Sequence, residues 1–251
     1  MGTSQTSTRE IIPVHEYVRE VAGLFSHIAH DWQLHSALLL SPAEERIMVR
    51  EPAQAVPSAI AKRLGPLRVL VVPYVGCFKS GDAVCFSKPK DESHTAVWVD
   101  GDARTDLVLA SKELDAHDTG FEFLASIAQL LVPKLTSHEL DQYRQLLDDE
   151  LDRAVGGEID KEALEAKESY LKLSDPNPRK SEQFSQYINA SAVSTLAEYT
   201  HGLWHDVQIR VGPEHLPVPE LRRRMILLSQ MFPPNPGYGL FARELERQEE
   251  K

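Results

Sequence analysis

The chain has 251 residues, 42% apolar and 26% charged, an ordinary globular composition with enough length for one large domain or two small ones. Its net charge of −11 argues against nonspecific nucleic-acid binding, which depends on neutralising phosphates, and no apolar run is long enough to span a membrane. The polar opening MGTSQTSTRE lacks a signal-peptide core, which points to the cytoplasm and to a disordered tail over residues 1–12.

From Pro13 the apolar spacing predicts a long amphipathic helix to about Leu40, with Val14, Val18, Val21, Phe25, Ile28 and Trp32 on one side. Ser41-Pro42 opens a weaker helix over 43–49, and Pro57 opens another that ends at Gly65. Strands follow over 67–78, 83–87, 95–100 and 106–110. Turn chemistry at Lys79 to Asp82 and at Asp100-Gly101-Asp102 joins neighbours as hairpins. The expected sheet, from Leu67 to Ala110, therefore has about four strands and is mostly antiparallel. Cys77 and Cys85 flank the first turn. A disulfide between adjacent strands is geometrically open, but a cytoplasmic setting favours reduced, buried thiols.

Thr119 and Glu122 have capping-box spacing and start a central helix that Pro133 stops. Thr136 and Glu139 repeat the box for a helix running to Gly156-Gly157. Charged residues 160–173 and then 181–204 read as two more helices, alternation at Val207, Ile209 and Val211 as a strand, and Pro219 to Met231 as a last helix. The FPPNPGYGLF segment reads as extended and packed back. Strands grouped ahead of helices give an α+β class: a sheet covered by the long N-terminal helix and by a helical C-terminal half. This is a single domain over 13–251, in which 13–135 hold the first helix, the sheet and the central helix. Residues 136–251 are mainly helical and either continue the domain or form a sub-lobe. Residues 139–168 carry eleven acids against four bases, which reads as solvated helix faces. Arg222, Arg223 and Arg224 read as a surface patch, or as a grip for phosphate.

Three constellations bear on chemistry. On a helix, His27, His30, Asp31 and His35 would span about 140° of arc, and helical bundles share metals between such groups; the alternative is a polar flank with one core histidine. Glu198, His201 and His205 would lie within about 60° on their helix. A histidine pair at i, i+4 is the zinc-chelating spacing of metalloprotease helices, with Glu198 as third ligand or base. Gly202, however, stands where those helices keep their general base, and the pair also suits a helix end. The third is Phe121-Glu122-Phe123-Leu124-Ala125. Strands followed by a buried helix make a layout similar to that of zincin metallopeptidases, and this segment stands where they carry H-E-x-x-H. The resemblance implies a degenerate, metal-free relative: only Glu122 agrees, while Phe121 and Ala125 replace both zinc histidines.

The sequence thus reads as a binding or structural protein without catalytic machinery, with a protein or small molecule as its partner and no role for nucleic acid or membrane. The alternative is a hydrolase using zinc or another divalent metal at Glu198, His201 and His205, with His27, His30 and Asp31 as further donors and Glu122 or Glu198 as the catalytic carboxylate.

Overall fold

A computed structural model of the chain describes residues 10–241 apart from 91, 102, 175, 206 and 208. In chain order these form β1 (Ile11–Pro13), α1 (Val14–Glu20), β2 (Ser26–His27), β3 (Gln33–Ser36), α2 (Pro42–Glu45), α3 (Glu51–Ala55) and α4 (Ser58–Leu64). Six strands follow: β4 (Leu67–Val72), β5 (Tyr74–Phe78), β6 (Gly81–Cys85), β7 (Ser93–His94), β8 (Ala96–Asp100) and β9 (Thr105–Ala110). The rest is helical: α5 (Ala116–Leu131), α6 (Ser137–Asp152), α7 (Lys161–Leu171), α8 (Glu182–Trp204) and α9 (Val218–Met231). The fold is α+β, with one mixed and one antiparallel sheet flanked by helices. Contacts divide it into two compact units: the chain up to Arg50 with Gly65–Phe123, and Glu51–Leu64 with the chain from Leu124 onward.

In the first unit, one sheet has the order β2-β3-β4-β9-β8, in which β3, β4 and β9 run parallel and both edges are antiparallel. All six residues of β4 are buried, the near-continuous apolar run of a strand covered on both faces. Its one charge, Arg68, sits opposite Asp106 on β9, donates to that carboxylate and lies 4.5 Å over the Phe25 ring. The other sheet, β1-β6-β5-β7, is antiparallel throughout. Ile12, Val75 and Val84 from it meet Leu70, Val72 and Val108 of the larger sheet in one core, which Val14 and Val18 of α1 complete.

The single, mostly antiparallel sheet expected from Leu67 to Ala110 is therefore corrected to two sheets, one with a parallel centre. The helix expected from Pro13 to Leu40 is also corrected, because it ends at Glu20. Beyond it, Trp32 and Leu34 are buried while Gln33 is exposed and His35 half-buried, which is the two-residue period of a strand. Parallel pairing with β4 captures that segment, and the Trp32 indole N–H anchors it on the Gly65 carbonyl at 3.0 Å. Helix α5 starts a turn earlier than Thr119 suggests. The Asp115 carboxylate accepts from the Asp118 amide at 2.8 Å and caps it. The tail expected over 1–12 lies outside the described residues as far as residue 9, and Ile11 and Ile12 belong to β1.

The second unit is helical. The capping box of Thr136 and Glu139 forms as the spacing predicts, with each residue accepting the other's amide, at 3.2 and 2.8 Å. Residues 207 and 209–211 are not in a strand. The segment after α9 does pack back: the Asn235 amide donates to the carbonyls of Gln54 and Val56 and accepts from Ser58.

The solvated-face reading of residues 139–168 fails at its centre, where Glu150, Glu158 and Lys167 are buried. Arg224 from α9, with no exposed surface, donates to both carboxylates, at 2.6 Å to Glu150 and 2.7 Å to Glu158. Tyr187 donates to Glu158 at 2.6 Å, and the Lys167 ammonium reaches the Gly157 carbonyl at 2.9 Å. Two acids and two bases thus cancel inside a satisfied polar core. Gly157 has φ +67°, and a Cβ there would lie 2.2 Å from the His215 carbonyl oxygen, so glycine is required. The arginine triplet is not a phosphate grip, because Arg224 is consumed in the core and Arg223 pairs with Glu220 and Asp149.

Candidate metal centre

The β5–β6 hairpin turns through Lys79 and Ser80, with Gly81 at φ +110°, a conformation glycine adopts without strain. That register sets Cys77 directly opposite Asp82. On the other side of β5, His94 of β7 stands opposite Val75. Side chains two residues apart on a strand share a face, so Cys77, Asp82 and His94 project from the same side of the sheet, at the rim of the face that carries Val75 and Val84 into the core. One donor atom from each lies within 4.8 Å of the others. The His94 Nε2 is 3.4 Å from Asp82 Oδ1. Cys77 and Asp82 are half-buried and His94 is exposed, so a bound ion would face solvent on one side.

Thiolate, imidazole and carboxylate are all zinc donors, and three of them leave a tetrahedral ion one open position. Ligands at about 2.0–2.3 Å from zinc stand roughly 3.3–3.8 Å apart, so modest side-chain rotation closes the observed spread. Both cysteines are free thiols. Cys85 pairs with Tyr74, an odd number of residues from Cys77, and its sulfur is directed to the opposite face.

A second cluster, Asp115, His117 and Asp118, lies at the start of α5. Its Asp115 is already engaged as a helix cap, and the positive end of the helix dipole opposes a cation there. Asp115 also borders a cleft at the carboxyl ends of β3 and β9, together with Lys112 and Glu44, but the Glu44 carboxylate is held by the Ser41 amide at 2.7 Å. Among the described residues these are the two groups with three such donors. They overturn the reading of a binding or structural protein without catalytic machinery, on a degenerate layout lacking the zinc histidines, and favour the metal-dependent alternative.

The residues singled out in the sequence lie elsewhere. His27, His30 and Asp31 fall in and beside the β2–β3 turn, where the His27 Nε2 bonds the His30 carbonyl at 2.7 Å and the His30 ring meets Trp32. His201 and His205 have ring centroids 5.8 Å apart at the end of α8; Glu198 and His201 are buried, and His205 is the exposed residue after the helix. Asp206, next in that motif, lies outside the described residues. Glu122 accepts from the Thr95 hydroxyl at 2.7 Å, which ties α5 to the β7–β8 connection. Two of the three residues Cys77, Asp82 and His94 have a sequence signal, since a turn centred on Lys79-Ser80 makes Cys77 and Asp82 a cross-strand pair. His94 has none, because its place depends on which strand β7 joins. No protein family, curated protein or solved structure matches this chain.

Proposed function

We propose that the protein is a divalent-metal-dependent hydrolase, with zinc held by Cys77, Asp82 and His94. The observation behind this reading is the convergence of those three donors, from three adjacent strands, on one half-exposed point. Zinc with three protein ligands lowers the pKa of a fourth-site water to about 7 and polarises a carbonyl oxygen, which together suffice for ester or amide hydrolysis. Metal binding at such a thiolate–imidazole set releases protons, so affinity increases with pH.

The test is elemental analysis of protein purified without chelators, for the wild type, a Cys77→Ser/His94→Ala double variant and His205→Ala. One equivalent of zinc per chain is expected in the wild type and in His205→Ala. In the double variant, affinity falls at least about 100-fold, as losing direct ligands costs more than losing their outer-shell partners. Wild-type protein stripped by chelator regains hydrolysis of p-nitrophenyl acetate when zinc is restored. Metal that stays in the double variant but leaves His205→Ala would transfer the site to the α8 histidines.

A further inference from the structure

Beside the metal-ligand cluster lies a cleft of about 390 Å³, and Asp82 belongs to both. Val97 and Val99 of β8 line it, with Val14 from α1 and Ile11 and Pro13 from β1. Among the described residues neither lysine nor arginine lines it, and besides Asp82 the one titratable group there is His15. Among those residues a phosphoryl or carboxylate group inside would meet no lysine or arginine, and Asp82 would repel it. An apolar chain would find aliphatic walls. The volume is at the small end of the roughly 300–1,000 Å³ range of small-molecule sites, enough for one short chain.

We infer that this cleft seats the apolar acyl chain of a carboxylic ester or amide whose carbonyl meets the metal beside Asp82, an inference that rests on the hydrolase reading. In the ester reaction, the oxygen of water bonds to the acyl carbon and the acyl C–O bond breaks. One proton of the water leaves with the alcohol and the other passes to solvent. The carboxylate product stays at the metal with its chain in the cleft, so unbranched carboxylates probe the site without turnover.

The experiment is titration calorimetry of the zinc-loaded full-length chain with acetate, butyrate, hexanoate and octanoate, alongside hydrolysis of the matching p-nitrophenyl esters. Each added methylene tightens binding about fourfold until the cleft is full, so hexanoate binds at least tenfold tighter than acetate. Val97→Phe, which fills the cleft from a half-buried position, reduces the hexanoate-to-acetate ratio to near one. Hexanoate binding no tighter than acetate in the wild type overturns the inference whatever the variant does. A rising carboxylate series with no ester turned over leaves the cleft assignment standing and removes the hydrolase reading. Turnover with a flat series does the reverse.

Discussion

Arg224 shows how much one side chain can decide. Its guanidinium makes two bonds to Glu150, at 3.1 and 2.6 Å, and two to Glu158, at 2.7 and 2.9 Å, none of them with access to water. Burial favours the protonated acid at Glu158, yet the charges of Arg224 and Lys167 outweigh it and hold that carboxyl below its usual range. Burial is the larger influence at Tyr143, whose phenol is pushed up to about 12 and stays neutral, donating to the Ser191 carbonyl at 2.9 Å. Replacing Arg224 by methionine keeps much of the volume, takes the guanidinium from Glu150 and leaves Glu158 with Lys167 and Tyr187 alone, so Arg224→Met costs about 3–5 kcal/mol in urea unfolding. Adding Glu150→Gln and Glu158→Gln recovers part of that loss. A single Arg224→Met within 1 kcal/mol of wild type would show that water reaches the network.

At the scale of elements, what could be read from the sequence was what neighbouring residues decide for themselves. The boundaries of α4 and the start of α6 follow from caps and breakers acting within one turn, as Pro57, Gly65 and the Thr136–Glu139 box show, whereas α6 stops at Asp152, short of the Gly156-Gly157 end expected, and Ala154 takes the positive φ of +53°. Thr136→Ala therefore lowers thermal stability by about 1 kcal/mol, and by less in a background already lacking Glu139, because each residue caps the other's amide. What could not be read was pairing. Four residues of β3 carry too little pattern to outweigh the helical spacing of Val14, Val18 and Val21 before them, and a parallel partner more than 30 residues away settled the matter. The metal-ligand cluster divides the same way: the hairpin register brings Cys77 to Asp82 locally, while His94 arrives through non-local pairing of β7.

Over the whole molecule, the charge excess that the sequence displays at residues 139–168 is organised into ion pairs rather than spread over solvent. Hydrogen bonds from Arg153, then from Arg223, outweigh burial and hold the Glu220 carboxyl at about 2; Asp149, bonded by Arg223, is also lowered. Glu139, despite its burial, is brought down by Arg63 and the Thr136 cap. These groups have folded pKa values below their unfolded ones. The stability they contribute is complete above the unfolded carboxylate range and is lost as pH falls through about 4.5 toward 2. Asp160 runs the other way, raised chiefly by burial, and offsets a small part. Urea unfolding followed by circular dichroism from pH 7 to pH 3 is therefore expected to lose stability steeply below about pH 5. Glu220→Gln lowers stability at pH 7 and flattens the acid limb, because the neutral amide has no proton to gain. Added salt weakens the contribution of Glu220, whose partners Arg153 and Arg223 are half-exposed, and leaves that of the sealed Arg224 cluster nearly unchanged. A Glu220→Gln profile parallel to the wild type throughout would place the acid sensitivity in the buried Glu158 instead, and Glu158→Gln would then be the variant that flattens it.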